Sequence, residues 1–168
     1  MRILAIDPGY ERLGIAVLEK LPKQKEMLLY SACVQTMKGL SHARRLLKIA
    51  SELRKVIDEF NPEAAAIETL FFTTNQKTVM SVAEARGAIL VEIARAKLPV
   101  YEYTPLQIKI AVTGYGRSDK RQVAEMVKKL VALPLSKRLD DEYDAIAVGL
   151  TCLASVHHRQ PTTNHETD

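Results

Sequence analysis

The chain of 168 residues has no tryptophan, two cysteines, four histidines and seven each of glycine and proline. Each shortage removes a class of protein. Cys33 and Cys152 stand far apart inside apolar patterns, so they make neither a disulfide scaffold nor a zinc cluster and read as buried thiols. His42, His157, His158 and His165 fall at helix ends or in the C-terminal tail, with no acid or cysteine at ligand spacing. They read as surface residues rather than metal ligands. No apolar run approaches the ~20 residues of a membrane span. The first run meets Asp7 almost at once, so no signal peptide is visible, and a cytoplasmic protein without membrane contact is expected.

Hydrophobic residues make up 47% of the chain and charged residues 26%, the balance of an ordinary globular protein. This length supports one well-cored domain, expected over residues 1–157. Residues 158–168 are polar and aperiodic and read as a flexible tail. The net charge of +4 is compatible with a polyanionic partner without requiring one.

Residues 2–7 read as a strand buried on both faces, and Pro8-Gly9 turns the chain into a second apolar segment at 13–18. A third strand follows at 27–36, with Tyr30, Ala32 and Val34 expected on one face and Leu29, Ser31 and Cys33 on the other. Ser41 is placed to cap a helix running to Asn61-Pro62. A buried strand at 63–68, a long helix from about 75 to 97 and a strand at 100–103 come next. A short helix from Pro105 leads to Thr113-Gly114-Tyr115-Gly116, Ser118 or Asp119 caps the next helix, and Asp140 caps the last. A meander, a parallel strand–helix–strand unit and terminal helices make an α/β domain with a mixed sheet of five strands flanked by helices.

Acids stand where apolar runs end. Asp7 closes Ile3 to Ile6, Glu68 closes Ala64 to Ile67, and Asp141 and Asp144 open the stretch from Ala145 to Leu153. Strands apolar on both faces lie inside a covered sheet, so carboxylates at their C-terminal ends sit at the rim where α/β folds keep their sites. Such a cluster suits divalent cations, which relieve the mutual repulsion. The stripe Asp141, Ala145, Val148 and Cys152 turns Asp141 toward the sheet. Arg117, Lys120 and Arg121 gather beside the Gly-x-Gly turn. Lys120 in a first helical turn needs a nearby negative charge, for which a phosphate would serve. Phe71 and Phe72, adjacent on a loop, either plug a core or stack on a base. The long helix carries apolar or small residues around more than one face, so it is either buried beneath neighbours or paired with a second copy near Gly87.

Ile6-Asp7-Pro8-Gly9, Ala66-Ile67-Glu68, Ala83-Glu84-Ala85-Arg86-Gly87, Gly114-Tyr115-Gly116 followed by Lys120, and Asp141-Glu142-Tyr143-Asp144-Ala145 occur in this order. In these motifs the chain resembles the RuvC family, the bacterial Holliday junction resolvases of the ribonuclease H-like superfamily. The resemblance implies a ribonuclease H-like three-layer fold and a metal-dependent endonuclease with Asp7, Glu68, Asp141 and Asp144 as catalytic carboxylates and metal ligands. Two Mg²⁺ ions per site are implied, with Mn²⁺ as a substitute. The resemblance places Phe71 against an unpaired base near the crossover and Lys109 and Lys120 at basic positions that handle the DNA; Phe72, Arg117 and Arg121 beside them are expected to bind DNA as well. It also implies a homodimer through the long helix, with Val82, Arg86, Gly87, Ile89 and Ile93 at the seam, four-way junction DNA as substrate, and RuvA and RuvB as partners. An RNA-directed nuclease of the RuvX-like class and an actin-like nucleotide-binding domain share the opening strand and glycine turn. The Asp141-x-x-Asp144 pair and the basic Gly-x-Gly segment speak against the first, and the single domain against the second.

Overall fold

The structure is a computed structural model that describes residues 1–69, 76–133, 138–156 and 161–162, residues 76–78 by their backbone alone. Three strands, β1 (Arg2–Asp7), β2 (Arg12–Glu19) and β3 (Met27–Gln35), form an antiparallel meander. Next in the chain are α1 (His42–Phe60), β4 (Ala64–Glu68), α2 (Gln76–Arg95), β5 (Val100–Tyr103), α3 (Pro105–Thr113), α4 (Lys120–Leu130) and α5 (Asp140–Ser155). The sheet order is β3-β2-β1-β4-β5, with β4 parallel to both β1 and β5. The expected α/β fold with a mixed five-stranded sheet is therefore present.

Ile3 to Ile6 are completely buried because β1 lies in the middle of the sheet with a core on each face. Leu4, Ile6, Ile15 and Val17 meet Ile49 and Leu53 of α1 and Ile89 and Ile93 of α2. On the opposite face, Ile3, Ala5, Ala16 and Leu18 meet α5, α3 and α4. These are three layers, and among the described residues no helix is long and apolar enough to cross a membrane.

Some local readings change. The meander carries an irregularity between Val17 and Leu18, which pair with Tyr30 and Leu28. The skipped Leu29 joins Tyr30 and Val34 against the α1–α2 core instead of sharing a face with Ser31 and Cys33. Leu139, not Asp140, is the N-cap of α5, and its N–H donates to Glu142 Oε1 at 3.0 Å. Ser41 caps α1 by backbone conformation without a side-chain bond, whereas Asp119 and Gln122 form a reciprocal capping box on α4. Cys33 is only half-buried, while Cys152 is fully buried. His42 is half-exposed and held, with Nδ1 2.7 Å from the Tyr10 hydroxyl and Nε2 3.0 Å from Glu84. Of the described tail residues, Thr162 is anchored, its N–H and hydroxyl both donating to the Val100 carbonyl, at 2.7 and 2.8 Å.

The expected dimer seam also needs correction. Ile89 and Ile93 are fully buried in the protomer's own core, and Arg86 is half-buried and paired with Glu102. Val82 is half-buried. Of the five residues expected there, Gly87 alone lies on the exposed face of α2, in line with Met80, Ala83, Val91 and Ala94. The helix is apolar on two sides because one side fills the core. Ile93→Ala should cost ~2–5 kcal/mol as a cavity in that core. Leu47→Ala, on a side chain 67% exposed, should stay within about 0.5 kcal/mol. Urea unfolding midpoints of the two variants check both expectations.

Candidate metal and nucleic-acid site

Asp7 and Glu68 end adjacent parallel strands in which Ile6 pairs with Ile67. Both carboxylates therefore emerge at one level of the sheet rim. Gly14 lies opposite Asp7 on β2, and a side chain there would overlap the Asp141 carbonyl and crowd the Asp7 Cβ at 3.2 Å. The missing side chain lets the first turn of α5 approach β1. A cleft of about 410 Å³ results, lined by Asp7, Glu68, Thr69, Lys109, Lys120 and Asp144 over an apolar floor that includes Ile108 and Val123.

Two of the acids are held by cations. Lys120 Nζ lies 2.8 Å from Asp144 Oδ2, so Asp144 supplies the negative charge that a lysine in the first turn of α4 needs. Asp141 turns toward the sheet, as its stripe requires, but toward β2 and β3. It pairs with Arg12, and Cys33 Sγ donates to its Oδ2 at 3.6 Å. It does not line the cleft.

Asp7 and Glu68 have no such counter-ion at contact distance among the described residues. Burial, followed by repulsion from Glu68, Asp144 and Asp141, pushes the Asp7 carboxyl up to about 8, with Lys120 opposing. Burial and then Asp144 raise Glu68 to about 7, with Lys120 and Lys109 opposing. Hard carboxylate oxygens with no histidine or cysteine lining the cleft suit Mg²⁺ or Mn²⁺ rather than a softer metal. Among the described residues no three acids, histidines or cysteines converge on one point. Asp144 and Asp141 are instead engaged by Lys120 and Arg12. The donor set fits a divalent cation, and the raised Asp7 and Glu68 carboxyls show the charge that such an ion would relieve.

The residues expected for DNA contact divide into three groups. Lys109 and Lys120 line the cleft, while Arg117 and Arg121 are exposed around the turn beyond it. Phe71 and Phe72 lie outside the described residues. Sequence reasoning missed Arg12, Cys33, Gly14 and Thr69. Gly14 had a signal, since it interrupts a buried strand near an acid. The Arg12–Asp141 contact joins residues 129 positions apart and had none.

The pH dependence follows from the two raised carboxyls. In the unfolded chain they release protons near pH 4, while the metal-free fold retains them to about 8 and 7. Their contribution to stability is complete below about pH 4 and is lost as pH rises through 7 and 8. In chelator, Asp7→Asn should therefore melt above the wild type at pH 8, with the difference closing toward pH 4. Thermal unfolding of both proteins across that range checks the sign, and a difference that grows on acidification would contradict the electrostatic account.

Known proteins resemble this chain over most of its length. The family model for crossover junction endodeoxyribonuclease RuvC matches residues 3–152. A crossover junction endodeoxyribonuclease RuvC from Thermosipho melanesiensis is 47% identical over 154 residues, 92% of this chain and 97% of the relative. Its counterpart from Roseiflexus sp. is 46% identical over 149 residues, 89% and 88% of the two chains. The structure of Thermus thermophilus RuvC in complex with Holliday junction substrate matches with a TM-score of 0.87 at 34% identity, covering 96% of this chain and 99% of that one. The yeast mitochondrial Holliday junction resolvase Ydc2, with a TM-score of 0.67 at 13% identity over 93% and 80% of the two chains, shares the fold. This chain belongs to the RuvC family of crossover junction endodeoxyribonucleases.

Proposed function

We propose that this protein resolves Holliday junctions in DNA recombination and repair, nicking two opposed strands symmetrically to leave 5′-phosphate and 3′-hydroxyl ends. The observation that carries this reading is the pair of buried, electrostatically strained carboxylates, Asp7 and Glu68, in a cleft rimmed by Lys109 and Lys120. Two Mg²⁺ ions, or Mn²⁺, held by Asp7, Glu68, Asp141 and Asp144 would supply the activated water and the charge stabilisation of the leaving 3′ oxygen.

The chain's own residues do the rest. Asp7 and Glu68 are fixed by the β1–β4 register and need no reordering to present their oxygens. Asp144 would help hold the cation, and Lys120, its partner on the cleft wall, would then be free to face the scissile phosphate. Lys109 neutralises the same phosphate from α3. Arg117 and Arg121 hold the flanking backbone, and Phe71 stacks on a base at the crossover, a role that rests on the family resemblance.

Paired nicks need two sites, and the exposed face of α2 through Met80, Ala83, Gly87, Val91 and Ala94 provides an apolar seam for a homodimer. Working in the cytoplasm as a single domain over residues 1–157, the dimer would receive junctions from RuvA and RuvB.

Mg²⁺-dependent cleavage of a synthetic four-way junction, run beside linear duplex and structured RNA, tests the reading. Wild type should give symmetric nicks in the junction alone. Asp7→Asn should lose cleavage by ~10²–10³-fold or more while still binding the junction. RNA cut without junction nicking would overturn the assignment. Val91→Asp should shift the protein to a monomer in sedimentation without lowering its melting temperature by more than a few degrees, and should uncouple the two nicks.

A further inference from the structure

Beyond the carboxylate cleft, an open groove of about 390 Å³ runs between the α3–α4 turn and the outer side of α4, with Tyr115, Ser118, Arg121, Gln122 and Lys129 among its walls. Tyr115 is 58% exposed, and its ring makes no ring-stacking or cation contact among the described residues. Its backbone, in contrast, is clamped. The Tyr115 N–H donates to Thr113 Oγ1 at 3.1 Å, and the Tyr115 carbonyl accepts from the Ser118 hydroxyl at 2.8 Å and the Ser118 N–H at 3.2 Å. Ser118 itself is 3% exposed. On one side Gly114, at φ 75°, ends α3 in the left-handed region. On the other, Gly116 packs against the side chains of Leu106 and Ile110, 2.5 and 3.4 Å from where a Cβ would stand.

The exposed ring thus stands on a backbone that the fold has already ordered. An exposed tyrosine whose main-chain ordering is complete in the free protein suits a binding anchor. The charge around it identifies the occupant's chemistry. Glu125 is the acid in the groove, and Lys128 Nζ answers it at 2.7 Å. Arg121 and Lys129 are exposed and form no ion pair within 4 Å among the described residues. Eight positions apart on α4, they are separated by about 12 Å along the helix, enough to reach different phosphates.

We propose that this groove seats one strand of a junction arm, with Arg121 and Lys129 on successive stretches of its phosphate backbone and the Tyr115 ring against a sugar or base. The inference rests on the junction-resolving reading above and adds the surface that orients an arm relative to the cleft. Tyr115 and Lys129 act in positioning, since neither lines the cleft.

Fluorescence anisotropy of the full-length dimer on a labelled four-way junction, titrated at several salt concentrations in Ca²⁺ to prevent cleavage, tests it. Tyr115→Ala should weaken binding by about tenfold with an unchanged salt slope, because a stacking contact releases no counterions. Tyr115→Phe should bind as wild type does. Lys129→Ala should weaken binding and reduce the salt slope by about 1. Junction affinity and slope unaltered in both alanine variants, with folding checked by circular dichroism, would overturn the proposal. A wild type that binds the junction no better than linear duplex would sink the functional reading first, and the groove's occupant with it, so the two failures are told apart by the wild-type curve.

Discussion

The repulsion among acids forced together at one end of the sheet is the constraint around which the rest of the molecule is arranged. Asp7 and Glu68 are placed there by strand register alone, and the α5 turn adds Asp141 and Asp144. In water such groups would separate. Here the buried strands behind them and the packing of α5 on β1 and β2 prevent it. The fold manages the excess by two means: protons held past their normal range on the inner pair, and basic side chains laid against the outer pair.

That arrangement gives α4 a double role. Its first turn delivers Lys120 to Asp144, and its outer face carries Arg121 and Lys129 along the neighbouring groove. The capping box of Asp119 and Gln122 fixes where the helix starts and therefore where Lys120 projects. Tyr115 sits on the turn that connects this helix to α3, whose Lys109 lines the cleft. The two lysines of the cleft and the surface that would orient a substrate are thus mounted on one short helical unit.

Much of this was legible in the residues. The continuous apolar runs before Asp7 and Glu68 identified central strands, and the acids at their ends identified the rim, because burial on both faces leaves few alternatives for either. The first-turn acids and apolar stripe of α5 were equally plain. What stayed hidden depended on tertiary choice. Leu29 changed face because the chain skips a residue in the β2–β3 pairing, and an alternating pattern carries no mark of that slip. Ile89 and Ile93 were assigned to the wrong surface because a helix apolar on two sides does not say which side its own core takes. Arg12 and Asp141 meet only through the fold, so no spacing could pair them. Local stereochemistry was readable, and long-range pairing was not.

The hydrogen bonds from Thr162 to the Val100 carbonyl have a consequence for solubility. β5 is an outer strand of the sheet, and an open strand margin is a template on which a stranger's backbone can add. By occupying an acceptor at the start of that margin, the returning chain shortens the stretch open to recruitment. Thr162 thereby guards one of the two outer margins of the sheet against self-association.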